Sequence, residues 1–292
     1  MKKFPFILAV LSLFFVSTVS AQDQVENYKH LNVKVIGEGE PLLFIPGYSC
    51  SMDVWNEVLP KFQDRYECHV FTLPGFAENK QLVQKDFLKT VKDELTSYIK
   101  DKKLVKPVVI GHSMGGFMGL YLSSQSPDLL KGVVVVDGLP FLAAAMNPSI
   151  TPEIALTNAT MMRNGITQAS DVNFEAQQKG TANFLMRNKD RLNETVSWSM
   201  KSDRNTLGLA IFELMTTDIR KDLIHTTIPI KHLGAYSTAY TTEEATMKIM
   251  EDQYAHLKNK EIVLTSNAGH FIMYDDFDFL INEINSFLEN GM

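Results

Sequence analysis

The sequence predicts an α/β fold: a mostly parallel central sheet with helices on both faces and a helical cap inserted between two late strands. Short, wholly apolar runs recur between stretches of helical spacing, the pattern of parallel strands buried on both faces. One interval of roughly 90 residues holds no convincing strand, too long for a plain connection inside a compact sheet. In "VVIGHSMGGFMGL" (108–120) a serine stands between two glycines where a strand-like run meets a helical one.

The elements follow in order. "HLNVKVIGEG" (30–39) alternates like a strand and ends in a Gly-rich turn, and "PLLFIPG" (41–47) is a continuous apolar run stopped by Pro-Gly. "MDVWNEVLPKF" (52–62) spaces Val54, Trp55, Val58 and Leu59 as one helix face. "ECHVFTLPG", the helical "DFLKTVKDELTSYIKDKKL" and "KPVVIG" come next, then a helix after Ser113 to about Gln125 and the strand "GVVVVDG" (132–138). From about Leu139 to Thr227 the chain reads as helices with turns at Pro148, Pro152 and Gly165. "IPIKHLGA" and "EIVLTSNAGH" read as strands around a helix near 243–257, and "DFDFLINEINSFLEN" closes the chain as an amphipathic helix. The organisation expected is a leader over 1–21, a core from 22–138 and 228–292, and a cap over 139–227 lying on the C-terminal strand ends, where ligands bind in open α/β sheets.

Bulk properties narrow the function classes. With 292 residues, 45% hydrophobic and 21% charged, the chain has an ordinary globular composition and no sign of low complexity. A net charge of −6 without a basic stripe argues against a nucleic-acid partner. "MKKFPFILAVLSLFFVSTVSAQDQ" has two lysines, an apolar run to about Val16 and the small-residue ending Val19-Ser20-Ala21, the pattern of a secretory signal peptide. That run, roughly 13 residues against the about 20 a span needs, is short for a membrane helix. An exported protein, periplasmic or secreted, with no stable membrane anchor after cleavage is expected. Export permits disulfides, but Cys50 should lie past one strand's end and Cys68 near the start of the next, so two free thiols are expected. No His-x-x-x-His or Cys-x-x-Cys spacing suggests a metal, and no phosphate loop or dinucleotide fingerprint suggests a cofactor. The oligomeric state stays open.

Gly111-His112-Ser113-Met114-Gly115 is Gly-x-Ser-x-Gly with strand before and helix after. So tight a turn needs flanking positions without side chains, and it holds the serine hydroxyl out above the sheet. The amide of Met114, first in the helix, is aimed to bind an oxyanion. A serine needs a base to become nucleophilic, and His270 stands in a loop just past the last strand, at the sheet edge where Ser113 emerges. His112 adjoins the serine and points elsewhere; His69 and His232 lie within strands.

Strand order, elbow, helical insertion and the late Gly269-His270 pair together resemble the α/β-hydrolase fold family in its cap-bearing branch. The resemblance covers nearly all of the chain beyond the leader. It implies a second oxyanion donor in the loop after "PLLFIPG", the backbone N–H of Tyr48, with Pro46-Gly47 where the family usually has His-Gly. The family's Asp-x-Pro-Gly-x-Gly-x-Ser segment appears in divergent form at Thr72–Asn79. Many relatives carry the triad acid in a Gly-x-x-Asp stretch after the cap, but here that stretch is Gly234-Ala235-Tyr236-Ser237, and the nearest carboxylates are Glu243 and Glu244. The other known placement falls on Asp137, at the end of four valines, where burying a carboxylate is costly unless a cation or hydrogen bonds offset it.

The cap is rich in Met146, Met161, Met162, Met186, Met200 and Met215, with Phe141, Phe184, Trp198 and Phe212. About a third of these are expected to line a pocket, the rest being adaptable core. The resulting expectation is an exported serine hydrolase of a small or medium apolar carboxylic ester, with Ser113, His270 and Asp137 as the triad and Tyr48 and Met114 N–H groups as the oxyanion hole. Amide, thioester or carbon–carbon bond hydrolysis on the same triad, or ligand binding with little turnover, stand as alternatives.

Overall fold

The computed structural model describes residues 24–145 and 147–290, and the leader expected over 1–21 lies outside them. The described chain forms one eight-stranded sheet of β1 (Glu26–Tyr28), β2 (Leu31–Ile36), β3 (Glu40–Ile45), β4 (Tyr66–Thr72), β5 (Val108–His112), β6 (Gly132–Val136), β7 (Ile230–Ala235) and β8 (Lys260–Thr265). Their spatial order is β1-β2-β4-β3-β5-β6-β7-β8. β2 runs antiparallel to β1 and β4, and every pair from β4 to β8 is parallel. β1, three residues long, is too short to register as a pattern in the sequence.

The apolar runs are continuous because both sheet faces are covered. Val109, Val133 and Val135 pack toward α1 (Phe87–Asp101) and α2 (Met114–Gln125). Their neighbours Val108, Ile110, Val134 and Val136 turn to the opposite face, against residues such as Trp55, Leu280 and Ile284. That period-2 division places the two cores. The 52–62 segment departs from the expected helix. It makes two 3-10 turns, Met52–Trp55 and Leu59–Lys61, because Pro60 has no N–H to carry one continuous helix across the segment, though it suits the start of the second turn; the same apolar residues still reach the core.

Between β6 and β7 stand α3 (Pro152–Thr167), α4 (Asp171–Leu185), α5 (Leu192–Lys201) and α6 (Arg204–Thr216). Thr151, Ser170 and Asp203 cap α3, α4 and α6 through their side-chain oxygens. Gly165 lies inside α3 rather than at a turn, since Thr151 with Pro152 opens a helix whose hydrogen bonding runs unbroken past it. α3 packs along α6 and α4 along α5. Glu213 of α6 accepts the N–H groups of Phe87 (2.9 Å) and Leu88 (2.8 Å), so the insertion caps α1, whose own Asp86 makes no cap bond. After β7 come α7 (Glu243–Gln253), α8 (Ile272–Asp275) and α9 (Phe277–Asn290), the last packed on β7. No helix among the described residues is long and apolar enough to cross a membrane.

Candidate active site

The elbow is built by close approach. A Cβ on Gly111 would sit 2.3 Å from the backbone of Gly115, and one on Gly115 would sit 2.2 Å from the carbonyl oxygen of Ile45. Neither position admits a side chain. Ser113 is thereby held at φ 52, ψ −115, a conformation that costs of order 1–3 kcal/mol outside glycine and clusters at functional sites. Its N–H donates to the Val136 carbonyl at 2.8 Å, fixing the turn to the neighbouring strand.

Asp137 follows β6 with a left-handed φ of 50°. Its own N–H donates to Leu233 O at 2.8 Å, and its Oδ1 accepts from Ala235 N–H at 2.9 Å. The other oxygen, Oδ2, lies 2.7 Å from His270 Nδ1. Burial opposes ionisation of this carboxyl, but the hydrogen bond and charge of His270, the Ala235 N–H and the nearby His232 outweigh it and hold it below the usual carboxylate range. Ser113, Asp137 and His270 line one cavity of about 740 Å³. Glu243 and Glu244 lie elsewhere, in the first turn of α7, where Glu243 accepts from the Tyr236 hydroxyl. Ser237 serves a turn, its carbonyl accepting from Tyr240 and Thr241 N–H.

Tyr48 and Met114 line the same cavity, and neither main-chain N–H has a hydrogen-bond partner among the described residues. Two free donors beside a strained serine suit an oxyanion. The Tyr48 hydroxyl is turned away, donating to Leu207 O at 3.1 Å, and burial raises its pKa. Ser49, at φ 59, shares a 2.9 Å hydrogen bond with Ser199 of α5. Cys50 also faces the cavity, but burial pushes its thiol up to about 12, leaving almost no thiolate to compete with the serine. Cys50 and Cys68 are both free and buried.

Two buried histidines flank this centre, and the sequence pattern did not distinguish them. His112 Nε2 donates to the His270 carbonyl at 3.0 Å, and its ring lies 4.7 Å from that of His270. Burial and the neighbouring His270 lower its pKa to about 3. His232 bonds the Tyr254 hydroxyl at 3.0 Å, and burial lowers it to about 4. Of the cap methionines and aromatics, Met162 lines the cavity; Phe141, Met186 and Trp198 are core, while Met161 and Phe184 are exposed. Met146 lies outside the described residues. The walls are otherwise largely aliphatic, from Leu139 and Leu142 to Ile211 and Leu214. Met162 and Gly165 of α3 and Gln177 and Thr181 of α4 line the cavity and are themselves exposed, so it is open to solvent along this stretch.

A serine on a strained strand-to-helix turn that shares one cavity with a bonded His–Asp pair is the layout of a serine hydrolase. A sequence profile of the alpha/beta hydrolase fold matches residues 40–222, and the chain belongs to that family. It is similar to a pimeloyl-[acyl-carrier protein] methyl ester esterase of Legionella pneumophila (strain Corby), 23% identical over 261 residues covering 89% of this chain and 100% of that one. A protein of the same name from Wigglesworthia glossinidia brevipalpis is 26% identical over 184 residues, 59% of this chain and 69% of its own. Among solved structures, a hydrolase from Pseudomonas aeruginosa superposes with a TM-score of 0.75 at 15% identity, covering 89% of this chain and 94% of that one. A thermophilic esterase from Thermogutta terrifontis gives 0.73 at 17%, covering 88% and 92%.

Proposed function

We propose that the protein hydrolyses an uncharged carboxylic ester through Ser113, His270 and Asp137, and that it does so after export. The observation that carries the reaction is the convergence, at one cavity, of the strained Ser113, the 2.7 Å His270–Asp137 pair and two unpartnered main-chain N–H groups. Ser113 Oγ attacks the ester carbonyl carbon while His270 Nε2 takes its proton. Tyr48 and Met114 N–H groups bind the tetrahedral oxyanion, stabilisation on the order of 3 kcal/mol per donor. His270 then returns the proton to the departing alkoxide, which leaves as the alcohol. Water attacks the acyl-serine, giving up a proton to His270, and collapse releases the acid and restores Ser113.

Ester cleavage is preferred over the other bonds this chemistry serves because the relatives above are methyl ester esterases. Uncharged substrate follows from the walls. Apart from Asp137 and the imidazoles, the ionisable lining groups are the Tyr48 phenol and the Cys50 thiol, and no Lys or Arg is among them to pair an anion. Export is supported by Lys2 and Lys3, the apolar run and Val19-Ser20-Ala21. Reaction of the purified protein with a fluorophosphonate, mapped by mass spectrometry, tests the nucleophile: label on Ser113, absent in Ser113→Ala, is expected. Absence of label on folded protein would remove the reading. N-terminal sequencing of the protein from its source tests export, with cleavage after Ala21 expected.

A further inference from the structure

Asp275 is five residues beyond His270 and does not line the cavity, yet its carboxylate joins two segments that do. Oδ2 accepts the N–H of Gly269, the residue before His270, at 2.8 Å. Oδ1 accepts Asn188 N–H at 2.7 Å, and Arg187 N–H lies 3.1 and 3.0 Å from the two oxygens. Residues 187 and 188 belong to the link between α4 and α5. Two residues upstream, the Leu185 carbonyl accepts His270 N–H at 2.7 Å. Gly269 permits this closeness, since a Cβ there would sit 2.5 Å from Leu185 O. The end of α4 and the histidine loop are thus bonded directly through Leu185 O and a second time through one shared carboxylate. Ala182 and Leu185, from that same end of α4, form cavity wall.

We propose that Asp275 is a positioning residue: by tying the α4–α5 link to the histidine loop it sets the place of His270 against Asp137 and Ser113. Three main-chain donors converge on one anion, and charge-assisted hydrogen bonds of this kind are the stronger class. The same bonds decide which part of the cap is fixed. The end of α4 that walls the cavity, Ala182 and Leu185, therefore moves only with the histidine loop. The proposal assumes the hydrolase reading above, but its primary readout does not depend on turnover.

The test is the low-field proton resonance of the His270 Nδ1–H bonded to Asp137, recorded with the ester-hydrolysis rate in Asp275→Asn. Whichever way the amide is placed, its NH2 faces at least one main-chain N–H. Loss or broadening of the resonance is expected, with kcat down about 10- to 100-fold and KM changed less, the penalty typical of a displacement near 1 Å. Asp218→Asn, which breaks an ion pair with Arg220 beyond α6, should leave the resonance in place. Asn188→Pro, at a residue whose φ of −72° suits proline, removes the main-chain donor together with the side chain's bonds to Tyr274 O and Asp190 N–H; Asn188→Ala, which loses only the side-chain bonds, is its control, and the proline variant should show the larger loss of the same kind. If Asp275→Asn folds poorly, Asn188→Pro decides. A wild-type resonance with kcat unchanged within twofold, in Asp275→Asn or Asn188→Pro, would overturn the proposal. A wild-type protein that shows the resonance yet hydrolyses no ester would count against the hydrolase reading instead.

Discussion

Replacing Asp137 by asparagine keeps the shape of the side chain and changes one thing, the identity of an atom. The structure dictates which atom. Ala235 N–H points at Oδ1 from 2.9 Å and is itself a donor, so the amide oxygen must take that side. The amide NH2 then occupies the place of Oδ2, 2.7 Å from His270 Nδ1, and offers that nitrogen a proton. Nδ1 has to become the acceptor, so the ring carries its proton on Nε2. An Nε2–H imidazole cannot accept the proton of Ser113. The expected loss in kcat is about 10⁴-fold, the effect of a wrong tautomer in a Ser-His-Asp site, corresponding to about 5.5 kcal/mol of barrier. The fold should stay intact, because Ala235 keeps its acceptor and the buried site loses a charge rather than gaining one. Steady-state hydrolysis of a chromogenic ester, with a urea unfolding curve on the same sample, measures both. A folded variant retaining a tenth or more of wild-type kcat would refute Asp137 as the orienting acid.

Acid should destabilise the protein well above the carboxylate range. His112 and His232 stay neutral in the fold, with pKa values lowered by burial to about 3 and about 4, whereas the unfolded chain takes up protons near 6.5. Their contribution is therefore complete above about pH 6.5 and is lost as pH falls toward those folded values, at about 2 kcal/mol each by pH 5. His69, lowered first by burial, acts in the same direction. Asp137, with its pKa depressed, holds its contribution above about pH 4 and loses it below. Urea unfolding between pH 8 and 5 should show the free energy declining below pH 6.5, and a flat profile would mean the histidines are accessible. Gly47→Ala tests the oxyanion loop: the new Cβ would lie 2.7 Å from His112 Nδ1 and 3.2 Å from Ser113 Cβ. Displacing Tyr48 N–H should lower kcat about 10- to 100-fold, with about 1–3 kcal/mol lost in the unfolding free energy.

What could be read from the sequence divides along physical lines. Ser113, Asp137 and His270 each follow a strand in a parallel sheet, and strand ends converge on one edge, so their meeting was accessible from order alone. The elbow glycines carried the same message through their spacing. The 52–62 segment has the spacing of a helix because 3-10 turns and an α-helix both send Val54, Trp55, Val58 and Leu59 to one side; Pro60 is the residue that separates the two. The cap methionines misled for another reason. α3 and α4 have solvent on one face and cavity on another, so both faces tolerate polar and apolar residues and the periodicity that would orient them is weak. Asp275 was invisible, because an acidic residue in "YDDFDF" resembles an ordinary helix start. Its role arises from two segments about 80 residues apart along the chain meeting at its oxygens.

The buried centre holds one carboxylate and three imidazoles, and under the mechanism proposed above the arrangement decides which ring takes the serine's proton. His112 and His232 are enclosed, and each leaves one ring nitrogen without a partner among the described residues: Nδ1 in His112 and Nε2 in His232. Those are acceptor nitrogens, and protonating either would bury a cation with no anion bonded to it. His112 and His270 both border the cavity, but of the three rings His270 alone has Asp137 bonded to it, on Nδ1. A second cation at His112, with its ring 4.7 Å from that of His270, would repel the imidazolium that the reaction must form. Holding the two flanking histidines neutral therefore does for the base what an apolar wall would do, while His112 keeps an N–H to fix the His270 carbonyl. Selectivity among the three rings follows from where the single anion is bonded, and that bond is set by the left-handed turn at Asp137 and the N–H of Ala235.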